Sequence, residues 1–385
     1  MRPRARWLVP TIGLLLVAAA LAVSSAGGHL VRAEFAPQHG TTFDFSRPPC
    51  APASGTPTGD GELVVRYLGA GGLYVEWDGQ AVLFSPFFSN PSLARVLGGP
   101  WRPDLPAIEE GLRDLPLQRV RAIFVGHAHY DHFAEIPWVA PRTARDAPIY
   151  VNRSGTRMLA AYPELAARAV SLEDLPGGWA QLASPDGQRL PWRFRALPSA
   201  HAPHVDHYLW ARGEVTQAWR EPWTARPLRD FVAGQVFAFV LDLVAPESGR
   251  VRFRLYFGDA AAPAGRGYPP PEVDGGDGHP FDLAVLCVPN YHLVAGYPEG
   301  ILERLRPRHV VAVHYEDFFR SRSRPLRFVP LLSDGRFDRF LVRVRDGVAR
   351  GGQPTRGPLE PVCGPSSSAS TVPLPGEWLR FAVLQ

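Results

Sequence analysis

Three imidazoles and a carboxylate fall within the six residues His127-Ala128-His129-Tyr130-Asp131-His132. Neutral imidazole is a common ligand of borderline-soft cations, and carboxylate adds a hard oxygen. The segment leaves the apolar run Val120–Val125 through Gly126, so it reads as the loop after a strand. In such a loop His127 and His129 point to one side and Asp131 and His132 to another, which offers ligands to two neighbouring ions. A solvated or capping histidine cluster is the plainer alternative.

A metal pair needs further ligands, and sheet geometry predicts them at other strand ends. The strand-like run Trp192–Leu197 leads through Pro198-Ser199-Ala200 to His201, Val251–Phe257 leads through Gly258 to Asp259, and Val310–Val313 leads directly to His314. Each is weak alone, because a single histidine after a strand is more often structural. In chain order they complete a set that a two-cation site requires. His204 and His207 lie close enough to His201 to compete for its place, and His201 is preferred because it comes first after the strand.

With these residues in place, the chain over about residues 61–345 resembles the metallo-β-lactamase superfamily of hydrolases. The matching stretches are Tyr67-Leu68-Gly69-Ala70-Gly71-Gly72, Val82–Pro86, the His127–His132 segment, His201, Gly258-Asp259 and His314. Leu255–Asp259 and Val311–Tyr315 look most like the branch of ascorbate-6-phosphate lactonase and N-acyl phosphatidylethanolamine phospholipase D. The resemblance implies a four-layer αββα sandwich. It also implies one ion held by His127, His129 and His201, a second by Asp131, His132 and His314, and Asp259 bridging both. The implied cofactor is two zinc ions, with manganese or iron also suited to a thiol-free set. Asp131 and Asp259 are then the candidate catalytic residues of a hydrolase that uses a metal-bound hydroxide on a phosphodiester, lactone or other ester. A small-molecule or lipid-like substrate is expected. The alternative is a non-catalytic exported metal-containing binding protein on the same fold. Ser85-Pro86 departs from the Asp-Pro that the family often carries after its third strand. His292 and Tyr130 are secondary candidates for substrate contact or packing, and the loop Ala260–Gly278, with Arg266, for shaping specificity.

The elements that must position these groups are mostly short strands. Leu63–Leu68, Leu73–Trp77 and Ala81–Phe84 are rich in aliphatic and aromatic residues, and Asp78-Gly79 marks a hairpin turn between the last two. Val236–Leu243 and Leu283–Val288 add further strands, while Ser154–Ala169 and Glu299–Leu305 have helical composition. Strands with interleaved helices give an α/β class, and no internal repeat is visible.

The chain has 385 residues, 45% hydrophobic and 20% charged, with 41 Pro and 37 Gly, which is enough apolar content for a sizeable core. All 41 basic residues are Arg against 37 acids, so the net charge of +4 argues for no nucleic-acid partner. Arg2, Arg4 and Arg6 precede the apolar run Trp7–Val23 and the small residues Ser24–Gly28, the pattern of a secretory signal. The expected organisation is a signal peptide or N-terminal membrane anchor at 1–27, a linker or irregular arm at 28–60, a hydrolase domain at 61–350, and a Pro/Ser-rich tail at 351–385. The address is periplasmic or secreted, with membrane association through residues 7–23 if the segment is retained. Of three cysteines, Cys287 lies in an apolar strand, and Cys50 and Cys363 either pair or stay as separate thiols.

Overall fold

In the computed structural model the described residues are 43–48, 61–184, 186–224, 226–245, 247–275, 279–351 and 370–383. The expected signal or anchor at 1–27 and the cysteines Cys50 and Cys363 lie outside them. No helix among the described residues is long and apolar enough to cross a membrane.

Two seven-stranded mixed sheets, flanked by helices, form an α/β sandwich. The first has the order β14-β1-β2-β3-β4-β5-β6 and the second β13-β12-β11-β10-β9-β8-β7. In the first, β1 (Glu62–Gly69), β2 (Gly72–Trp77) and β3 (Gln80–Phe84) form an antiparallel meander. β4 (Val120–Phe124), β5 (Ile149–Val151) and β6 (Ala169–Ser171) then add in parallel through crossovers. The second sheet follows the same plan. β7 (Ala180–Ala183), β8 (Arg189–Ser199), β9 (Val236–Val244) and β10 (Val251–Gly258) are antiparallel, and β11 (Leu283–Cys287), β12 (His309–Val313) and β13 (Ser370–Thr371) are parallel. The two halves thus share a topology that leaves no repeat in the sequence.

The sheets meet through aromatic side chains. Phe84 of β3 stacks on Phe257 of β10 with ring centroids 4.5 Å apart, and Phe124 of β4 meets Phe194 of β8 edge-on at 4.8 Å. Such rings are large apolar bodies with preferred offset or edge-to-face geometries, so they fix the relative position of the sheets as well as filling the space between them. β4, β8, β10 and β12 all end at the same edge of the sandwich. There Phe237 of β9 donates its N–H to Gly126 O at 2.7 Å, a bond from one sheet to the exit of the other.

Several elements differ from expectation. Ser154–Ala169 is two short helices, Arg153–Leu159 and Pro163–Ala166, followed by β6. Pro163 ends the first helical segment because it lacks the N–H that helix continuation needs. The helix Asp334–Arg350, capped by the Ser333 side chain, was not expected from the sequence. It packs on Glu299–Leu305 with Gly347 against Leu302 and the Arg343 guanidinium on Glu299. Residues 370–383 are not part of a tail. β13 extends the second sheet, and β14 (Trp378–Ala382) pairs antiparallel with β1 in the first, Leu63 opposite Phe381. The arm also docks. Arg47 bonds the Glu377 carboxylate, and Phe43 meets Tyr315 and Phe337 edge-on.

Candidate metal centre

All seven residues expected from the sequence come together at the shared strand edge, and six of them are buried there. β4 delivers His127 directly after Gly126. His129 stands at the N-cap of the single-turn helix Tyr130–Phe133, which turns Asp131 and His132 inward. β8 delivers His201, β10 delivers Asp259 after Gly258, and β12 delivers His314. His314 has φ 65°, an uncommon conformation for a side chain of its size. It is held there by its own N–H, which donates to Tyr67 Oη at 2.8 Å.

The ligand-capable atoms form three overlapping groups, each within 4.8 Å: His127, His129 and His201; His127, His132 and Asp259; Asp131, His132 and His314. Outer contacts fix several tautomers. His201 Nδ1 lies 2.6 Å from Ala202 O and His129 Nε2 lies 3.3 Å from Ala211 O, so both of these nitrogens carry the proton. His201 Nε2 and His129 Nδ1 are then left with lone pairs, which is the usual role of the outer partner of a metal-bound imidazole. His127 Nε2 lies 3.1 Å from His129 Nδ1, while His127 Nδ1 lies 3.0 Å from Asp259 Oδ2. On the other side His132 Nδ1 and Asp259 Oδ1 are also 3.0 Å apart, yet among the described residues neither atom finds a hydrogen bond of acceptable geometry, and both are buried. His314 Nδ1 is buried without a partner among the described residues too. Buried polar atoms crowded together but unpaired fit cations as the absent counterpart.

Electrostatics agree with that reading. Burial, followed by neighbouring imidazoles, holds His129 and His201 well below the ordinary histidine value, and burial with His132 lowers His127. Three neutral imidazoles are ready to ligate without releasing a proton. Burial opposes charge on His132 as well, but the Asp259 and Asp131 carboxylates outweigh it and push that imidazole up to about 9. Despite burial, His132 and its neighbours keep both Asp131 and Asp259 well below the usual carboxylate range.

A second layer went unnoticed in the sequence. Tyr67 Oη donates to Glu316 Oε2 at 2.6 Å while accepting from His314 N, and Glu316 Oε1 accepts from Ala70 N at 2.6 Å. Buried Glu316 therefore ties the β1–β2 hairpin to the residue that follows β12, and Gly71 of that hairpin passes close to His132 and His314. The only hint in sequence was the nearness of Glu316 to His314. Tyr67→Phe should leave Glu316 and His314 N short of a partner, costing about 1–3 kcal/mol of stability. Thermal melting of the metal-free protein measures that loss directly, and elemental analysis reports whether the His314 side of the site loses occupancy.

The cluster forms the floor of a cavity of about 190 Å³ with largely apolar walls, among them Val96, Trp210, Phe318 and Leu331. A broader open groove of about 1060 Å³, lined by residues between Glu214 and Val232, contains none of the seven. Tyr130 lines the cavity, its hydroxyl buried and without a partner among the described residues. His204 lines it too, whereas His207 is exposed. His292 and Arg266 are exposed and not among the lining residues. Cys287 lines it as a buried thiol that burial and then Asp259 push well above its ordinary value. Ser85 has φ 39°, and its buried Oγ bonds none of the seven.

No protein-family model matches the chain. In sequence it is similar to a UPF0173 metal-dependent hydrolase of Cupriavidus taiwanensis, 27% identical over 269 residues that cover 67% of this chain and 80% of the relative. A second UPF0173 metal-dependent hydrolase, from Cupriavidus necator, is 26% identical over 276 residues, covering 69% and 81%. Among solved structures, the metallo hydrolase Igni18 of Ignicoccus hospitalis aligns with TM-score 0.46 and 16% identity over 83% of this chain and 98% of its own. The metallo-β-lactamase fold protein YhfI of Bacillus subtilis aligns with TM-score 0.41 and 9% identity, covering 83% and 98%.

Proposed function

We propose that the chain is a metal-dependent hydrolase of the metallo-β-lactamase type that holds two divalent ions and cleaves an ester-type bond in a small molecule. The coarse assignment, metal-dependent hydrolase, is supported by the two curated relatives that carry that description. The observation that carries the finer reading is the pair of triads joined by a third group, in which Asp259 sits with one histidine of each, on the floor of an apolar-walled cavity. His127, His129 and His201 would hold one ion, Asp131, His132 and His314 the other, with Asp259 between them. A cation pair of this kind acidifies water and draws negative charge from an acyl or phosphoryl oxygen.

The chain's own residues do the rest. Asp131 Oδ2 lies 3.4 Å from His314 Nε2 and 3.6 Å from His132 Nε2, so the three atoms converge at the cavity floor where a cation would sit, and the Asp131 carboxylate stays charged there. The apolar walls displace water around the reacting bond, which strengthens every charge interaction within. Zinc is the preferred ion, and manganese or iron also suits the His/Asp donor set. A phosphodiester, a lactone or another ester fits this chemistry, and Leu255–Asp259 with Val311–Tyr315 support the lactonase and phospholipase branch. A non-catalytic binder would tolerate loss of a ligand, and all seven positions are intact. The basic and apolar N-terminal pattern supports export, which cell fractionation of the full chain would test.

Elemental analysis of the purified protein should return about two divalent ions per chain, and a screen of p-nitrophenyl esters, bis(p-nitrophenyl) phosphate and simple lactones should find turnover that a chelator abolishes. One ion or none after reconstitution, with no hydrolysis of any probe, sinks the reading.

A further inference from the structure

His204 stands among the ligand-capable residues without belonging to any of their groups. Its ring stacks on His201 with centroids 4.9 Å apart and lies 5.7 Å from His129, and its side chain lines the cavity. It is absent from all three sets of converging ligand atoms. The backbone N–H of Trp210 donates to His204 Nδ1 at 3.1 Å. A backbone amide can only donate, so Nδ1 carries the lone pair and the proton of the neutral ring sits on Nε2. That Nε2–H has no protein acceptor among the described residues. The loop Ala202–Trp210 closes on itself to hold this geometry, through His204 N to Tyr208 O at 2.8 Å and Tyr208 N to Val205 O at 2.8 Å.

We propose that His204 is the substrate's hydrogen-bond donor, a fixed Nε2–H that receives an anionic or carbonyl oxygen of a phosphoryl or carboxyl ester beside the metal floor. The inference rests on the hydrolase reading for its substrate class, while the donor itself follows from the loop. A ligand role is disfavoured because the lone pair is already committed to Trp210. The loop, unlike the strand ends that carry the seven, is a device for aiming one N–H rather than for gathering lone pairs. The donor would act on the oxygen that gains charge as the bond is attacked, where preorganised donors are most effective.

Nitrogen-15 NMR of the metal-free protein should show His204 as the Nε2–H tautomer. In the metal-reconstituted protein, inorganic phosphate serves as the oxyanion probe. His204→Phe keeps the ring's bulk and should weaken phosphate binding about tenfold and lower kcat on a p-nitrophenyl probe by about 10²-fold, with two ions still bound. His204→Gln, which retains an N–H, should recover part of both and guards against a Phe variant that fails to fold. The proposal is overturned by an Nδ1–H tautomer, by loss of an ion in His204→Phe, by unchanged phosphate affinity, or by a parent protein that does not bind phosphate at all. If no ester or phosphodiester probe is turned over but tautomer and phosphate results hold, the hydrolase reading fails and the oxyanion donor stands.

Discussion

Asp259→Ala is expected to lose at least one bound ion and to lower turnover of any hydrolysed probe by 10² or more, about 2.7 kcal/mol of transition-state stabilisation. Asp259 is buried between the two histidine clusters, with one carboxylate oxygen on His127 and the other beside His132. Removing it takes away the negative charge that two cations would share and, in the metal-free protein, the carboxylate that most favours the His132 proton. The sign for the metal-free protein follows from the same contacts. The carboxylate's pKa is depressed by folding, so its contribution is present above the ordinary carboxylate value and fades as pH falls through the lowered one. Metal-free Asp259→Ala should therefore lose stability at neutral pH and converge on the parent in strong acid. Elemental analysis, melting temperature and rate on one preparation give the answer. Full activity with both ions retained would remove Asp259 from the mechanism.

Gly126→Ala should be nearly as damaging through a different route. The glycine's φ is not in the left-handed region, so the backbone would accept alanine, but the space does not. A Cβ there would lie 2.4 Å from Asp259 Oδ2, 2.6 Å from Asp259 Cβ and 2.7 Å from Phe237 O. β9 cannot retreat without breaking the bond from Phe237 N to Gly126 O that joins the sheets. Overpacking of this kind costs about 1–3 kcal/mol, and the displaced carboxylate should cost ion occupancy and about 10² in rate, as its removal does. The double variant Gly126→Ala with Asp259→Ala should fall short of additivity, because deleting the carboxylate removes the closest of the three collisions, the one with Oδ2, while those with the Cβ of residue 259 and with Phe237 O remain. Strictly additive losses in stability would show that the two clashes the carboxylate does not make, with the Cβ of residue 259 and with Phe237 O, dominate.

Much of this candidate site was readable because its residues follow strands closely. β4, β10 and β12 are aliphatic and aromatic runs whose ends are marked by His127, Asp259 and His314, so finding the strand located the candidate ligand. His201 and His204 show the limit. They are the same residue type three apart on one loop, and only the bond from Trp210 N separates a free lone pair from a committed one. Tyr67 and Glu316 carry no signature of their own, since their role exists only once β1 lies beside the residue after β12. The helix Asp334–Arg350 buries Phe337, Phe340, Val344 and Gly347 on one face, a helical spacing obscured by the surrounding arginines and two glycines. β13 and β14 are short and sit amid Pro and Gly, so they are strands because of the edges they meet rather than because of local propensity.

The pairing of β14 with β1 also orders events in time. A chain leaving the ribosome presents Leu63, Val65 and Tyr67 early, along with every residue of the metal cluster, but the partner strand Trp378–Ala382 emerges last among the described elements. Until then the hairpin that backs His314 has one row of amides and carbonyls unanswered, and an open apolar edge recruits other chains. A product stopped after Arg350 would carry all seven cluster residues and yet be expected to accumulate in inclusion bodies rather than as a weakened enzyme. For this protein the vulnerable interval is therefore the wait between synthesis of the cluster and arrival of the strand that seals its sheet.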